Sequence, residues 1–184
     1  MQVVKTLFDS VLVIEPKVWR DDRGFFFESY SKKAFEALGI TTEFVQDNHS
    51  RSIGHTVVRG IHLQKAPYAQ AKLVRCTRGR MWDVIVDLRV GSSTFGQWQA
   101  VELSEENSLM LYIPTGFGHG FKTLSEDVEV LYKVDQPYHP ASELTIRWND
   151  PTIGVDWGVI DPVLSEKDAN AKTLNEQMNQ FQEI

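Results

Sequence analysis

A single cysteine, Cys76, in 184 residues leaves nothing for an intrachain disulfide to close on. That excludes a disulfide scaffold and suits a reducing compartment. No uninterrupted apolar run approaches the length of a membrane span, and the N-terminal stretch MQVVKTLFDSVLVIEP lacks the apolar core of a signal peptide. The expected location is therefore the cytoplasm, with no membrane partner. Positive charge is also in short supply, with 19 Lys and Arg against 25 Asp and Glu and a net charge of −6. Such a balance argues against a broad nucleic-acid surface, while a local basic pocket for a phosphorylated small molecule remains compatible with it. Repeats, low-complexity segments and linkers are missing too. One domain over residues 1–184 is expected, large enough to bury most of its apolar surface.

What the sequence does have is a period of two. MWDVIVDLR sets Trp82, Val84, Val86 and Leu88 on one face, with Asp83, Ile85, Asp87 and Arg89 on the other. DVEVLYKVD places Val128, Val130, Tyr132 and Val134 together. Other runs read as strands, among them VVKTLF, VLVIEP, GFFFESY, TEFVQDN, TVVRGIHLQ, AKLVRC, FGQWQAVEL, LMLYIP, GHGFKTL and ELTIRW, with turn residues between them at short intervals. Many short strands with frequent turns predict an all-β antiparallel sandwich or barrel. Helix signals are confined to SKKAFEALGI, with Ser31 as N-cap and Gly39 as stop, and to LSEKDANAKTLNEQMNQF, with Ser165 capping and Asp168 three residues on.

Some residues sit where a β-protein normally places core. In RGIHLQKAPYAQAKLVRC, counting by twos puts Val58, Gly60, His62 and Gln64 on one face, and Lys72, Val74 and Cys76 on another. His62 and Lys72 are thus expected to point into a shared interior. A hydrogen-bonded core histidine would explain His62, and a packed aromatic would explain Tyr132. Lysine is almost never fully buried alone, so Lys72 points to a polar pocket instead. Arg59 falls on the opposite face from His62 if the strand is regular. Either it is an exposed charge, or a bulge at Gly60 re-aims it. Arg23, Glu28, Gln46, Asp47, Asn48, His49, Tyr138 and Glu143 add polar groups that each admit a turn or surface reading.

IPTGFGHGF carries the spacing Pro-x-Gly-x-x-His, ending at His119, which is the later histidine motif of cupin β-barrels. The earlier cupin segment reads His62-Leu63-Gln64, without the second histidine that a metal site there would use. Chemistry without a catalytic metal is expected.

Taken in order, EPKVWRDDRGFFFESY, FVQDNHSRS, VVRGIHLQKAPYAQAKLVRC, DVIVDLRVGSSTFGQW, LYIPTGFGHGFKTLSE, VLYKVDQPYHPASE, WNDPTIGVDW and LSEKDA resemble the dTDP-4-dehydrorhamnose 3,5-epimerase family. The resemblance implies a homodimeric cupin-type jelly roll with a few short peripheral helices. It implies a dTDP-linked 4-keto-6-deoxyhexose substrate, inversion at C3 and C5, and no cofactor. By motif, His62 would be the base, Asp168 its partner, Lys72 the enolate-stabilising cation and Tyr132 the opposing acid. Arg23, Glu28, Gln46, Asp47, Asn48, Arg59, His119, Glu143 and Lys167 would contact substrate, with Tyr138 near the nucleotide. The resemblance also implies exchange of N-terminal strands between subunits. Two departures, Gly158 and Lys172, stand where the family commonly has proline, in the loop that would deliver Asp168. Rival readings are a single-site 5-epimerase or a ketoisomerase, a non-catalytic sugar-nucleotide-binding cupin, and a metal-dependent cupin oxygenase.

Overall fold

The computed structural model describes residues 1–183. Its strands are β1 (Gln2–Leu7), β2 (Val11–Glu15), β3 (Trp19–Asp21), β4 (Gly24–Phe26), β5 (Gln46–Ile53), β6 (Val58–Gln64), β7 (Lys72–Arg78), β8 (Arg80–Asp87), β9 (Trp98–Ser104), β10 (Met110–Ile113), β11 (Phe117–Thr123), β12 (Asp127–Val134) and β13 (Glu143–Ile146). Two short helices join them, α1 (Lys32–Glu36) and α2 (Glu166–Ala169), with 3-10 turns at Pro140–Ser142 and Asn175–Glu183. Six strands form one antiparallel sheet in the order β1-β2-β10-β7-β12-β5, and five form the other as β13-β6-β11-β8-β9. This is an all-β, cupin-type sandwich, with β3 and β4 as a separate hairpin.

The core lies between the sheets. Val74, Cys76, Leu111, Ile113, Val128 and Val130 from the larger sheet meet Met81, Ile85, Leu103, Phe117 and Phe121 from the smaller. Both faces of the smaller sheet are buried. Its outer face packs Val58, Ile61, Leu63, Val84 and Val86 under Ile153, Trp157, Leu174 and Phe181 from the C-terminal region. Phe35 of α1 and Ile40 beyond it cover the outer face of the larger sheet at Ile14, Leu73 and Met110. Alternation in residues 81–89 therefore separates two buried faces, and Asp83 and Asp87 are both fully buried.

Several boundaries differ from the sequence-based expectation. GFFFESY pairs only over Gly24–Phe26, and the strand expected over TEFVQDN instead starts at Gln46 and runs to Ile53. The reason is its partner: β12 pairs with β5 from Val134↔Gln46 to Asp127↔Ile53, and the ladder ends there. Ser31 holds the N-cap position of α1 without a side-chain hydrogen bond. The expected second helix lasts one turn. Beyond it Lys172 forms a parallel bridge with Ile146, and the Leu174 N–H donates to the buried Asp150 carboxylate at 2.7 Å. Those partners pull the backbone out of helix before the 3-10 segment begins.

Candidate active site

His62 and Lys72 reach the same space from opposite sheets. β6 belongs to the five-stranded sheet and β7 to the six-stranded one, so the chain around Pro67 crosses between layers. A cavity of about 460 Å³ opens between them, lined by Arg59, Gly60, His62, Lys72, His119, Tyr132, Lys167 and Asp168, together with Ser50, Phe121, Val130 and Ser165.

The open question at Gly60 is answered by register. His119 pairs with His62 and Phe121 with Arg59, so two steps on β11 span three on β6. That extra residue is a bulge. It moves Val58 to the outer face with Ile61 and Leu63, and it brings Arg59 to the rim of the cavity that holds His62. Arg59 remains exposed there, donating to Ser52 Oγ at 3.2 Å and lying 5.8 Å from the Phe121 ring.

His62 Nε2 donates to Asp168 Oδ1 at 2.6 Å, which leaves Nδ1 as the basic nitrogen. Asp168 comes from α2, a single turn whose start is fixed by Ser165. The Ser165 hydroxyl accepts from the Asp168 N–H at 3.1 Å and donates to Asp168 Oδ2 at 2.8 Å. The segment before α2 is fastened beside β6, where Val163 bridges Val57 and its carbonyl accepts from the Val58 N–H. Burial lowers the proton affinity of His62, and the Asp168 hydrogen bond only partly restores it. Burial also opposes charge on Asp168, yet hydrogen bonds from His62, Ser165 and the Gly60 N–H hold its carboxyl below the ordinary range.

Lys72 is buried, and its ammonium reaches the His62 carbonyl at 3.4 Å. Desolvation lowers its pKa to about 8, against the pull of Asp83 and Glu143. Tyr132, paired with Val74 and Asn48 across β12, keeps its phenol protonated because burial raises its pKa.

His119 lies opposite His62 and has its own acid, Asp83 Oδ1, at 2.6 Å from Nε2. The other Asp83 oxygen is buried without a hydrogen-bond partner. Asp83 is a site residue that the sequence reading did not single out. Its signal was an acid alternating with Ile85 in an apolar strand, a place where aspartate is almost never left unpaired.

Lys167 of the lining donates to Glu143 Oε1 at 2.7 Å, and Glu143 Oε2 accepts from the Tyr138 hydroxyl at 2.9 Å, so Glu143 and Tyr138 stand behind the lining. Other candidates lie elsewhere. On edge strand β5, outside the cavity lining, Gln46 donates to Asn48 Oδ1, and Asp47 accepts from Lys133 of β12. Arg23 pairs only with Asp21 in its own hairpin, and Glu28 is exposed nearby. Neither lines the cavity.

Among the described residues, no group of three or more His, Cys, Asp or Glu is placed to hold a metal ion. No helix among them is long and apolar enough to cross a membrane. Gly158 has φ +59°, a value that proline cannot adopt, so the loop takes a path here that a proline would forbid. Asp168 reaches His62 all the same.

The model of the family described as dTDP-4-dehydrorhamnose 3,5-epimerase matches residues 5–176. A protein of that name from Salmonella typhimurium (strain LT2) is 53% identical over 180 residues, covering 97% of this chain and 98% of its own. The crystal structure of dTDP-4-dehydrorhamnose 3,5-epimerase from Bacillus anthracis strain Ames, with TDP and PPi bound, is 46% identical with a TM-score of 0.92. It is matched over 94% of this chain and 99% of that one. A 3,5-epimerase from Legionella pneumophila Philadelphia 1, in complex with dTDP-4-keto-L-rhamnose, is 48% identical with a TM-score of 0.89, over 95% and 93% of the two chains.

Proposed function

The chain belongs to the dTDP-4-dehydrorhamnose 3,5-epimerase family, and on that premise we propose that the cavity between its sheets runs the family's reaction with His62 as the base. The enzyme is an epimerase that converts dTDP-4-dehydro-6-deoxy-D-glucose to dTDP-4-dehydro-L-rhamnose. The observation that carries the assignment of roles is the His62–Asp168 pair at 2.6 Å, in one cavity with a buried lysine and a protonated phenol.

The C3 and C5 protons of the substrate are both α to its C4 ketone, so removing either leaves an enolate. His62 Nδ1 accepts the proton while Asp168 holds the ring in the required tautomer and stabilises the imidazolium. Negative charge moves onto the C4 oxygen, where the buried Lys72 ammonium meets it. Tyr132 then donates its proton to the carbon from the opposite face, inverting the centre. The tyrosinate regains a proton from solvent and the imidazolium returns one, so the cycle balances without an oxidant. Arg59 and Lys167 at the rim suit the diphosphate, arginine for its paired hydrogen bonds. His119 in the lining, with Glu143 and Tyr138 linked to that lining through Lys167, completes the set we assign to sugar and base.

Arg23 and Glu28 lie outside the chain's own cavity, and the hairpin beside them exposes Trp19, Phe25 and Phe26 at 47%, 61% and 66%. A homodimer, in which this hairpin reaches the partner's cavity, accounts for both facts. The single buried thiol, whose pKa burial pushes up to about 12, suits the cytoplasm. The whole chain then works as one catalytic unit.

Incubating dTDP-4-keto-6-deoxyglucose with the enzyme in deuterated water tests the reading. Deuterium is expected at both C3 and C5. Incorporation at only one carbon supports a single-site epimerase, and wild-type exchange by His62→Ala removes the base assignment.

A further inference from the structure

Asp168 is held against the backbone of β6 at one residue, and only glycine leaves room for it. A Cβ placed on Gly60 would lie 2.6 Å from Asp168 Oδ1 and 3.2 Å from its Cγ, but 3.6 Å from its Cβ. The first distance is an overlap, the second a tight contact and the third an ordinary one. Strain in the glycine backbone is not the issue, since Gly60 is not among the residues with positive φ. The restriction comes from the carboxylate alone. Nor can that carboxylate turn aside freely. Oδ1 accepts from His62 at 2.6 Å, Oδ2 from Ser165 at 2.8 Å, and the group also accepts the Gly60 N–H. Asp168 is only 3% exposed at its side chain, so water cannot replace a lost partner.

The opposite strand has the same requirement. A Cβ on Gly120 would lie 2.7 Å from the carbonyl oxygens of both Arg59 and Gly60. Bare backbone on β11 lets the bulged turn of β6 close down, and the bulge turns the Gly60 N–H toward Asp168.

We propose that Gly60 is a positioning residue for the reaction: its missing side chain admits the Asp168 carboxylate to the backbone of β6, and so sets the imidazole of His62. This rests on the reading of His62 and Asp168 as the base pair of the site. An added methyl at residue 60 has two ways to be accommodated. Asp168 rotates off and releases the Nε2–H of His62, or α2 lifts and carries Asp168 with it. Both leave His62 in place and remove what orients it. Rotation of Asp168, the smaller movement, leaves Arg59 and Lys167 at the rim where they are, whereas a lift of α2 shifts Lys167 as well.

The test is a mutant cycle of Gly60→Ala, Asp168→Ala and the pair together, read by deuterium wash-in, KM, dTDP binding and melting temperature. Gly60→Ala is expected to lower kcat by about tenfold to a hundredfold, the usual scale for a base displaced by an ångström, with KM and dTDP binding within about threefold when Asp168 rotates and weaker dTDP binding only when α2 lifts Lys167. The histidine resonance of His62 should titrate as it does in Asp168→Ala. In the Asp168→Ala background no atom lies nearer the added methyl than the residue-168 Cβ at 3.6 Å, an ordinary contact, so Gly60→Ala should cost almost nothing further in rate or melting temperature. If Gly60→Ala alone does not fold, the double variant should fold, because the overlap is gone. Equal costs of Gly60→Ala in both backgrounds, or a double variant that stays unfolded, overturn the proposal and leave the catalytic reading standing. An unchanged rate in Asp168→Ala overturns that reading instead.

Discussion

Burial changes what Lys72 can do and over what pH. Its pKa, lowered to about 8 by desolvation, places the loss of its charge just above neutrality. Asp83 and Glu143 act to keep the proton on, and Lys167 acts to remove it. If the ammonium stabilises the enolate, the rate should fall as pH rises through about 8. On the acid side, burial holds His62 below its ordinary value, so the neutral base persists to lower pH than a solvated histidine allows. The pH dependence of kcat should therefore be a bell with its alkaline limb near 8. Lys72→Arg should lose that limb while losing rate, because a guanidinium stays charged. An alkaline limb unchanged in Lys72→Arg would assign it to another group. Stability gives an independent reading with a definite sign. The folded pKa lies below the unfolded one, so between about 8 and 10.5 the unfolded chain binds more protons. Stability should rise with pH across that window in the wild type, relative to Lys72→Met, when unfolding free energies are measured in denaturant. A parallel course for the two proteins would show that Lys72 titrates normally.

A one-turn helix carries the acid of the dyad, and its single cap does two jobs. Ser165 satisfies the Asp168 N–H and also holds Oδ2. Ser165→Ala should cost about 1 kcal/mol of stability, the usual worth of an N-cap, and also lower kcat through Asp168. Ser165→Thr keeps the hydroxyl and should restore most of both. Loss of stability with unchanged kcat would confine Ser165 to a structural role. The cap was legible in the sequence, as Ser165 with an acid three residues on, but the length of the helix was not. What ends it is Asp150, 24 residues away from the Leu174 N–H it accepts, and local propensity carries no trace of such a partner. The strands and the inward aim of Lys72 and Tyr132 were legible because alternation is a local property. So was the choice at Gly60, where Arg59 and His62 could share a cavity only through a bulge. Parity could place Asp83 on a face, yet the partner that makes it part of the site, His119, is 36 residues on. Polar alternation in β5 misled the reading of its boundary. Hydrogen-bonding side chains there replace the apolar ones that mark a strand, since Ser50 on that strand lines the cavity.

At the scale of the whole molecule, the two faces of the larger sheet decide which copy of the chain can complete a site. Lys72, Val74 and Cys76 of β7 point between the sheets, so Arg75 points out. The Arg75 guanidinium lies 5.6 Å from the Phe27 ring, and the Lys133 ammonium lies 5.0 Å from the Tyr30 ring. The segment carrying Glu28 therefore runs along the outer face, with the sheet between it and the cavity of its own chain. On the proposed dimer, Glu28 and the hairpin residue Arg23 before it serve a second copy. Mixing two inactive variants tests this. His62→Ala protein keeps Arg23 but has no base, and Arg23→Ala protein keeps the base but lacks the arginine. After unfolding and refolding together at equal concentration, half of the dimers should be mixed. Each mixed dimer then has one site with His62 from one chain and Arg23 from the other, so about a quarter of wild-type sites return. If Arg23 instead serves its own chain, no mixed dimer holds a complete site and activity stays at the sum of the parents. Recovery also requires that the chains associate, so sedimentation of the same mixture should report a dimer. A monomer with full activity would remove the exchanged hairpin from the mechanism altogether.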